Sequence, residues 1–238
     1  MRQKLERKSL QDDATDWLRR AIILGEFAPG SVLTEIALSE AIGVGRSTVR
    51  AALFMAEGEE LVMRTPYSNW RVAPLDAQNI WEIYTLRAAF EGLAARILAQ
   101  RRAALGTNLV DAAFEALHLA DGNDTDARVA ADLGFHASFV TQTGHGHLIR
   151  RHRSLAGKVE WLYRWSERHW PLRNPLVAEH EDLYRALTAA GPDEAERAVR
   201  AHIDTSIHLD IAGAEELARR QAMSGVVRPA VGKVSAGS

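Results

Sequence analysis

Hydrophobic positions recur at helical spacing along most of the chain, and short breaks divide the pattern into separate predicted helices. From residue 76 onward, these helices cover residues 76–103, 107–120, 124–142, 145–169, 175–190 and 192–221. Glycine or proline stands in each break, and both residue types interrupt helices. No alternating strand pattern competes in this half, so an all-α bundle is predicted there.

The first 75 residues show a different arrangement, in which two short helices meet at a glycine turn. After a helix predicted at residues 9–26, apolar side chains from Leu33 and Ile36 onward approach helical spacing, with Thr34 as the expected N-cap. The turn around Gly43 leads into a second helix. Its predicted buried positions are Val49, Ala52, Leu53 and Ala56, and its predicted solvent-facing positions are Arg46, Ser47, Thr48 and Arg50. This pattern is typical of a helix-turn-helix, although an ordinary hairpin with solvated arginines shares it.

Two short strands about a turn follow the second helix, at residues 61–64 and 70–72, and we interpret them as a β-wing. In a winged helix, the second helix enters the major groove and the wing approaches the backbone or the minor groove. The residues predicted to contact DNA are Arg46, Ser47, Thr48 and Arg50 on the helix and Arg64, Asn69 and Arg71 on the wing. The arginines suit bases or phosphates, and the hydroxyls suit phosphate oxygens.

Composition supports two domains and excludes several kinds of site. With 238 residues, 47% of them hydrophobic, the chain can form a small domain at residues 1–75 and a larger one at 76–221, with a loose tail at 222–238. The absence of cysteine excludes disulfides, thiolate catalysis and cysteine-based zinc sites. Without a signal peptide or a long apolar run, the cytoplasm is the expected compartment and no membrane partner is expected.

Charge limits how the first 75 residues can bind DNA, because their basic and acidic side chains are equal in number. Affinity cannot come from a generally basic domain. A local patch of arginines at the predicted contact surface is sufficient for phosphate contacts, particularly in a dimer that doubles it.

The helical half contains candidate metal ligands. Asp132 and His136 are four residues apart and therefore share one helix face, and His180 and His202 lie in later helices. Three imidazoles and a carboxylate suit a divalent ion such as Zn, Ni, Mn or Fe. The pair taken alone is a weak signal, since a histidine on an amphipathic helix is more often a surface or packing residue.

The remaining histidines are predicted to have other roles. His145 and His147 are two residues apart and face different directions, so we expect them to cap a helix or to lie at a pocket rim. Surface or packing positions are expected for His118, His152, His169 and His208.

Residues 1–75 resemble the GntR family of bacterial regulators. The resemblance rests on the break at Ala28-Pro29-Gly30, on the segment from Gly43 to Leu53 and on the wing. The spacing of Asp132, His136, His180 and His202, with Arg87 and Glu91 earlier, is similar to the FCD domain of the FadR subfamily. The fold this implies is mainly α, a winged helix-turn-helix with a small β-wing followed by an all-α FCD bundle.

The resemblance further implies a divalent metal ion on Asp132, His136, His180 and His202, beside a pocket for a small organic acid. Arg87 is the candidate effector-binding residue by the same resemblance. An ion pair with Glu91, four residues on, is the alternative role of Arg87.

The expected function is that of a metabolite-responsive transcription regulator and not of an enzyme. A homodimer is expected, because two recognition helices can address two half-sites on operator DNA. The mechanistic hypothesis is that a small carboxylate bound beside the metal changes operator affinity. A metal-dependent helical enzyme and a direct metal sensor are the alternatives.

Overall fold

Two sets of elements, separated at Asp76, make up the structure. This computed structural model describes residues 9–65, 69–120, 122, 124–170 and 175–224. The chain divides into an N-terminal unit ending at Leu75 and a C-terminal unit beginning at Asp76. The Asp76 carboxylate accepts a hydrogen bond of 2.9 Å from the backbone N–H of Asn79, and it thereby caps the first helix of the C-terminal unit.

The N-terminal unit combines helices with short strands. Its elements are α1 (Leu10–Ile23), β1 (Val32–Leu33), α2 (Glu35–Ile42), α3 (Arg46–Gly58), β2 (Val62–Thr65) and β3 (Asn69–Val72). Thr34 caps α2, as predicted, by accepting a hydrogen bond from the backbone N–H of Ala37. Gly43 ends α2 with a φ of 75°, a left-handed conformation that glycine adopts without steric cost.

Packing of α1 against α3 forms the core of the N-terminal unit. The predicted buried side of α3 is confirmed, since Val49, Ala52, Leu53 and Ala56 are all buried. Helix α2 contributes Leu38 to the interior, whereas Ile36 is 58% exposed. The apolar pattern of α2 therefore does not mark a buried stripe along its whole length.

The wing strands β2 and β3 belong to a three-stranded antiparallel sheet with the order β1-β3-β2, in which β2 is an edge strand. Leu33 pairs with Trp70 in this sheet, so its prediction as a helical position was wrong. A two-residue strand has too few positions for alternation to be seen in the sequence. The tip of the wing, residues 66–68, lies outside the described residues.

The described part of the C-terminal unit is all helical, and the predicted fold class is confirmed. Its helices are α4 (Ala77–Leu105), α5 (Asn108–Ala120), α6 (Thr125–Gln142), α7 (Gly146–His169), α8 (Leu176–Ala189) and α9 (Pro192–Ser224). The long helices α4 and α9 pack against each other, and α6, α7 and α8 all contact α4. Polar side chains on this central helix can therefore meet groups from several helices.

One predicted boundary differs from the structure. Helix α9 continues to Ser224, so residues 222–224 of the predicted tail are helical. Residues 225–238 lie outside the described residues. Among the described helices, none combines the length and the hydrophobicity that crossing a bilayer requires.

Candidate functional site

The N-terminal turns of α3 present the predicted DNA-contacting side chains. Arg46, Ser47 and Arg50 are exposed, and Thr48 is half-buried. The opposite side of α3 is held in the core by apolar packing, which fixes the direction in which these four side chains point. The arrangement is one that can enter a groove of DNA, as a recognition helix does.

Glu35, at the start of α2, already holds the guanidinium of Arg50. Its two carboxylate oxygens accept hydrogen bonds of 2.7 Å from Arg50 Nε and 2.8 Å from Arg50 Nη2. Arg46 Nη2 lies 3.7 Å from the same carboxylate. The hydrogen bond from Arg50 is the main cause of a lowered pKa for Glu35. The ion pair between Glu35 and Arg50 restricts the directions in which Arg50 can point. It leaves the N–H groups at the far end of the guanidinium available for a contact with DNA.

The arginines of the wing also have neighbours within the N-terminal unit. Arg64 in β2 lies over the rings of Phe54 and Trp70, at 4.4 and 5.1 Å from their centroids. Arg71 in β3 donates from Nη1 to the carbonyl oxygen of Gly30 at 3.0 Å. Both arginines remain exposed. The side chain of Asn69, the remaining wing residue predicted to contact DNA, lies outside the described residues.

In the C-terminal unit, α6, α8 and α9 each direct one histidine to a common point. His136, His180 and His202 each place a ring nitrogen within 4.8 Å of the other two. His136 and His180 are buried, and His202 is half-buried. Three imidazoles from three helices meet here, although they are far apart in the sequence.

Hydrogen bonds to the outer nitrogens determine where the protons of two of these rings lie. His136 Nδ1 is 2.6 Å from Glu91 Oε2, and His180 Nδ1 is 2.7 Å from the carbonyl oxygen of Leu176. Both partners are acceptors, so each Nδ1 carries a proton. Burial, together with the charge of Arg87, lowers the pKa of His136 and favours its neutral ring. The Nε2 atom of the neutral His136 ring therefore carries a lone pair, and it faces Nε2 of His180.

Those two Nε2 atoms are 3.2 Å apart, a distance at which two ring nitrogens can share one hydrogen bond or bind one cation. Burial, reinforced by the nearby rings of His136 and His180, holds the pKa of His202 well below its ordinary value and favours its neutral ring. Asp132 Oδ2 is 3.3 Å from His180 Nε2. This set of three imidazoles and a carboxylate fits a divalent metal ion.

The carboxylate of Glu91 connects this cluster to other buried groups. It is fully buried and accepts from Arg87 Nε at 2.7 Å, while His152 Nε2 lies 3.0 Å from it and His136 Nδ1 2.6 Å from it. Burial would raise the pKa of Glu91, but the charge of Arg87 and the hydrogen bonds from His136 and His152 outweigh burial and hold that pKa well below its ordinary value. Glu91 is therefore an ionised carboxylate inside the protein, stabilised by three partners.

A cavity of about 120 Å³ adjoins this network. Glu91, His136 and His152 line it together with Arg87, and Arg153 lines it as well. Arg87 thus makes the ion pair with Glu91 that was considered from the sequence, and it also lines the cavity in which an effector could bind. Its Nη2 atom is buried without a hydrogen-bond partner among the described residues.

Most of the other histidines follow the sequence interpretation, whereas His147 is an exposed residue in the first turn of α7 that neither caps the helix nor lines the cavity. His145 caps α7, as expected, by accepting a hydrogen bond of 3.2 Å from the backbone N–H of Leu148. His208 is exposed, and His118 packs edge-on against Phe114. His152, predicted to be a surface or packing residue, instead contacts Glu91 and lines the cavity. No spacing pattern could have found it, because Glu91 lies 61 residues earlier in the chain.

Two family models match the chain, one over each unit. The model described as bacterial regulatory proteins of the gntR family matches residues 10–72, and the FCD domain matches residues 82–205. The latter includes Arg87, Glu91 and the three clustered histidines.

Similar proteins are transcription regulators. A protein of Paenarthrobacter nicotinovorans, assigned as the transcriptional repressor of a D-xylose utilization operon, is 25% identical over 201 residues, which cover 84% of this chain and 88% of that protein. An HTH-type regulator of Agrobacterium vitis is 31% identical over 127 residues, 52% of this chain and 74% of its own length. A GntR regulator structure from Rhodococcus sp. RHA1 shares the fold, with a TM-score of 0.69 and 20% identity over 86% of this chain and 99% of that one.

Replacing Arg50 by Ala is predicted to weaken binding to a specific operator by about ten- to a hundredfold, because a bidentate arginine–base contact is lost. The operator is first selected from a random DNA pool with the wild-type protein, and affinity is measured by fluorescence anisotropy on operator and on random DNA. Arg20→Ala, which changes another exposed arginine of the N-terminal unit, is the control. Equal losses on both DNAs would show that Arg50 contacts the backbone and reads no base.

Replacing Glu91 by Ala is predicted to lower the free energy of unfolding of the C-terminal unit by about 3 to 5 kcal/mol, because the charge of Arg87 is then buried without its partner. Urea denaturation followed by circular dichroism measures the change. Glu216→Ala is the matched control, since Glu216 pairs with Arg220 at the same four-residue spacing but in solvent. Similar effects of the two substitutions would contradict a central role for Glu91.

Proposed function

We propose that this chain, which belongs to the GntR family of bacterial regulatory proteins and carries an FCD domain, controls its operator affinity by binding a small carboxylate beside a divalent metal ion. That the protein is a DNA-binding transcription regulator follows from the family and from its relatives. Enzymatic turnover is not the role of this family. The metal, the carboxylate and the control of affinity are the proposal.

The observation that carries the metal proposal is the close approach of the Nε2 atoms of His136 and His180. Their Nδ1 atoms face Glu91 and a backbone carbonyl, so both inner nitrogens would be available to bind a cation. Acceptors at the outer nitrogens of histidine ligands orient the rings and raise their basicity. His136, His180 and His202, with Asp132, would hold the ion, which when bound would supply a positive site for a ligand oxygen.

The cavity supports the carboxylate proposal. Arg87 lines it with unused donor capacity, and burying a guanidinium with unmade hydrogen bonds is costly. A carboxylate accepts two parallel hydrogen bonds from such a group. The apolar remainder of the wall would shield that pair from water and strengthen it.

A homodimer is proposed as the form that binds DNA. One recognition helix makes few base contacts, whereas two address half-sites about one helical turn apart. Helix α4 exposes Leu86, Ala89 and Leu93 on one side, and an exposed apolar stripe of this kind suits association with a second copy. We expect such a regulator to act in the cytoplasm, where its DNA is.

Removing the metal is predicted to lower the melting temperature by about 5 to 10 °C. The reason is that a free ion concentration of about 100 times the Kd raises the free energy of unfolding by about 2.7 kcal/mol. Protein treated with a chelator is compared with protein reloaded with zinc, by differential scanning fluorimetry. His180→Ala should abolish the zinc-dependent rise. His208→Ala, at an exposed histidine of α9, should retain it, and a rise that survives His180→Ala would place the ion elsewhere.

Operator affinity of the zinc-loaded protein is predicted to change by about 5- to 150-fold when the right small acid is added, which is the usual range of coupling between sites. Fluorescence anisotropy titrations against a panel of organic acids measure it. If free zinc alone changes the affinity reversibly and no acid adds to the change, the protein is a metal sensor. If neither zinc nor any acid alters it, the proposed control is wrong.

A further inference from the structure

The charged groups of the cavity lie at two depths. Arg87 is only 6% exposed, whereas Arg153, on α7, lines the same cavity and is exposed to solvent. We infer that the cavity takes a short dicarboxylate, with one carboxylate at Arg87 and the second at Arg153. This inference rests on the proposed function and narrows the class of ligand.

The charge of the lining favours a dianion over a monoanion. Its permanently charged side chains are the two guanidiniums and the carboxylate of Glu91, so positive charge is in excess. Glu91 is already shared by Arg87, His136 and His152 and does not reach Arg153. The proposed metal ion would add to the positive charge.

Arg153 is the side chain that would pair with the second carboxylate of the ligand. Within the described part of the chain, the guanidinium of Arg153 makes no ion pair and no hydrogen bond. Arg150, one turn away, is by contrast 3.1 Å from His147 Nδ1. An arginine at a cavity mouth with its donors unused can bind a carboxylate in bidentate fashion.

The wall between these two arginines is mostly apolar. Its apolar members include Leu133, Ala137, Val140, Ile149, Leu155 and Val159. Besides the charged side chains, only Thr141, His136 and His152 among the described residues bring polar groups to this lining. Hydroxyl groups on the middle of a ligand would lose water without gaining partners, which costs free energy. A hydrocarbon spacer between two carboxylates therefore fits better than the polyhydroxylated chain of a sugar acid.

The test compares four acids on the zinc-loaded, full-length protein by isothermal titration calorimetry: butyrate, succinate, glutarate and gluconate. Succinate or glutarate should bind at least about tenfold more tightly than butyrate and gluconate, because a second charge-assisted pair is formed. Arg153→Gln should remove this advantage over butyrate, because the second carboxylate then has no guanidinium with which to pair. Arg151→Gln, at an exposed arginine of the same helix, should preserve the advantage.

Two other outcomes have different meanings. If butyrate or gluconate binds as tightly as the dicarboxylates, or if Arg153→Gln leaves the advantage intact, the dicarboxylate inference is wrong and the proposed carboxylate site survives. If none of the four acids binds, the inference is wrong and the proposed function loses its ligand site as well. Arg153 is exposed, so its substitution does not put folding at risk in the way that a change at Arg87 would.

Discussion

The buried carboxylate of Glu91 is the constraint around which the C-terminal unit is organised. It is ionised although it is fully buried, and a buried charge persists only with close partners. Arg87 supplies the opposite charge, while His136 and His152 supply further hydrogen bonds. One of these partners, His136, belongs to the histidine cluster, and all three line the cavity. The proposed metal and ligand sites therefore share the hydrogen-bond network of Glu91.

A glutamate also organises the recognition surface, in a different environment. Glu35 holds the guanidinium of Arg50 and lies near that of Arg46, but both arginines are exposed. Solvent screens this cluster, so its main effect is on the direction of the side chains and not on stability. In the C-terminal unit the Arg87–Glu91 pair is buried, so solvent does not screen it and the loss of one partner is expected to be costly. A glutamate–arginine pair thus orients an exposed arginine in the N-terminal unit, and a second such pair lies buried beside the cavity in the C-terminal unit.

The sequence predicted those features that depend on neighbouring residues. Glycine and proline marked the helix ends, Thr34 was recognised as a cap, and the apolar side of α3 followed from its period. Features that join distant segments were out of reach. The strand β1 is two residues long, and the contacts of His152 with Glu91 and of Arg50 with Glu35 connect different helices. For the histidine cluster, it was the resemblance to a known domain, more than the spacing itself, that pointed to the residues.

Whether the histidine cluster binds a metal can be measured by anomalous X-ray scattering from crystals of the protein as purified, recorded on both sides of the zinc, nickel, iron and manganese edges. One strong anomalous peak is expected among the imidazoles of His136, His180 and His202, with the Asp132 carboxylate beside it. No peak at any of the four edges, or a peak remote from these side chains with the imidazoles turned apart, would contradict the proposed metal site.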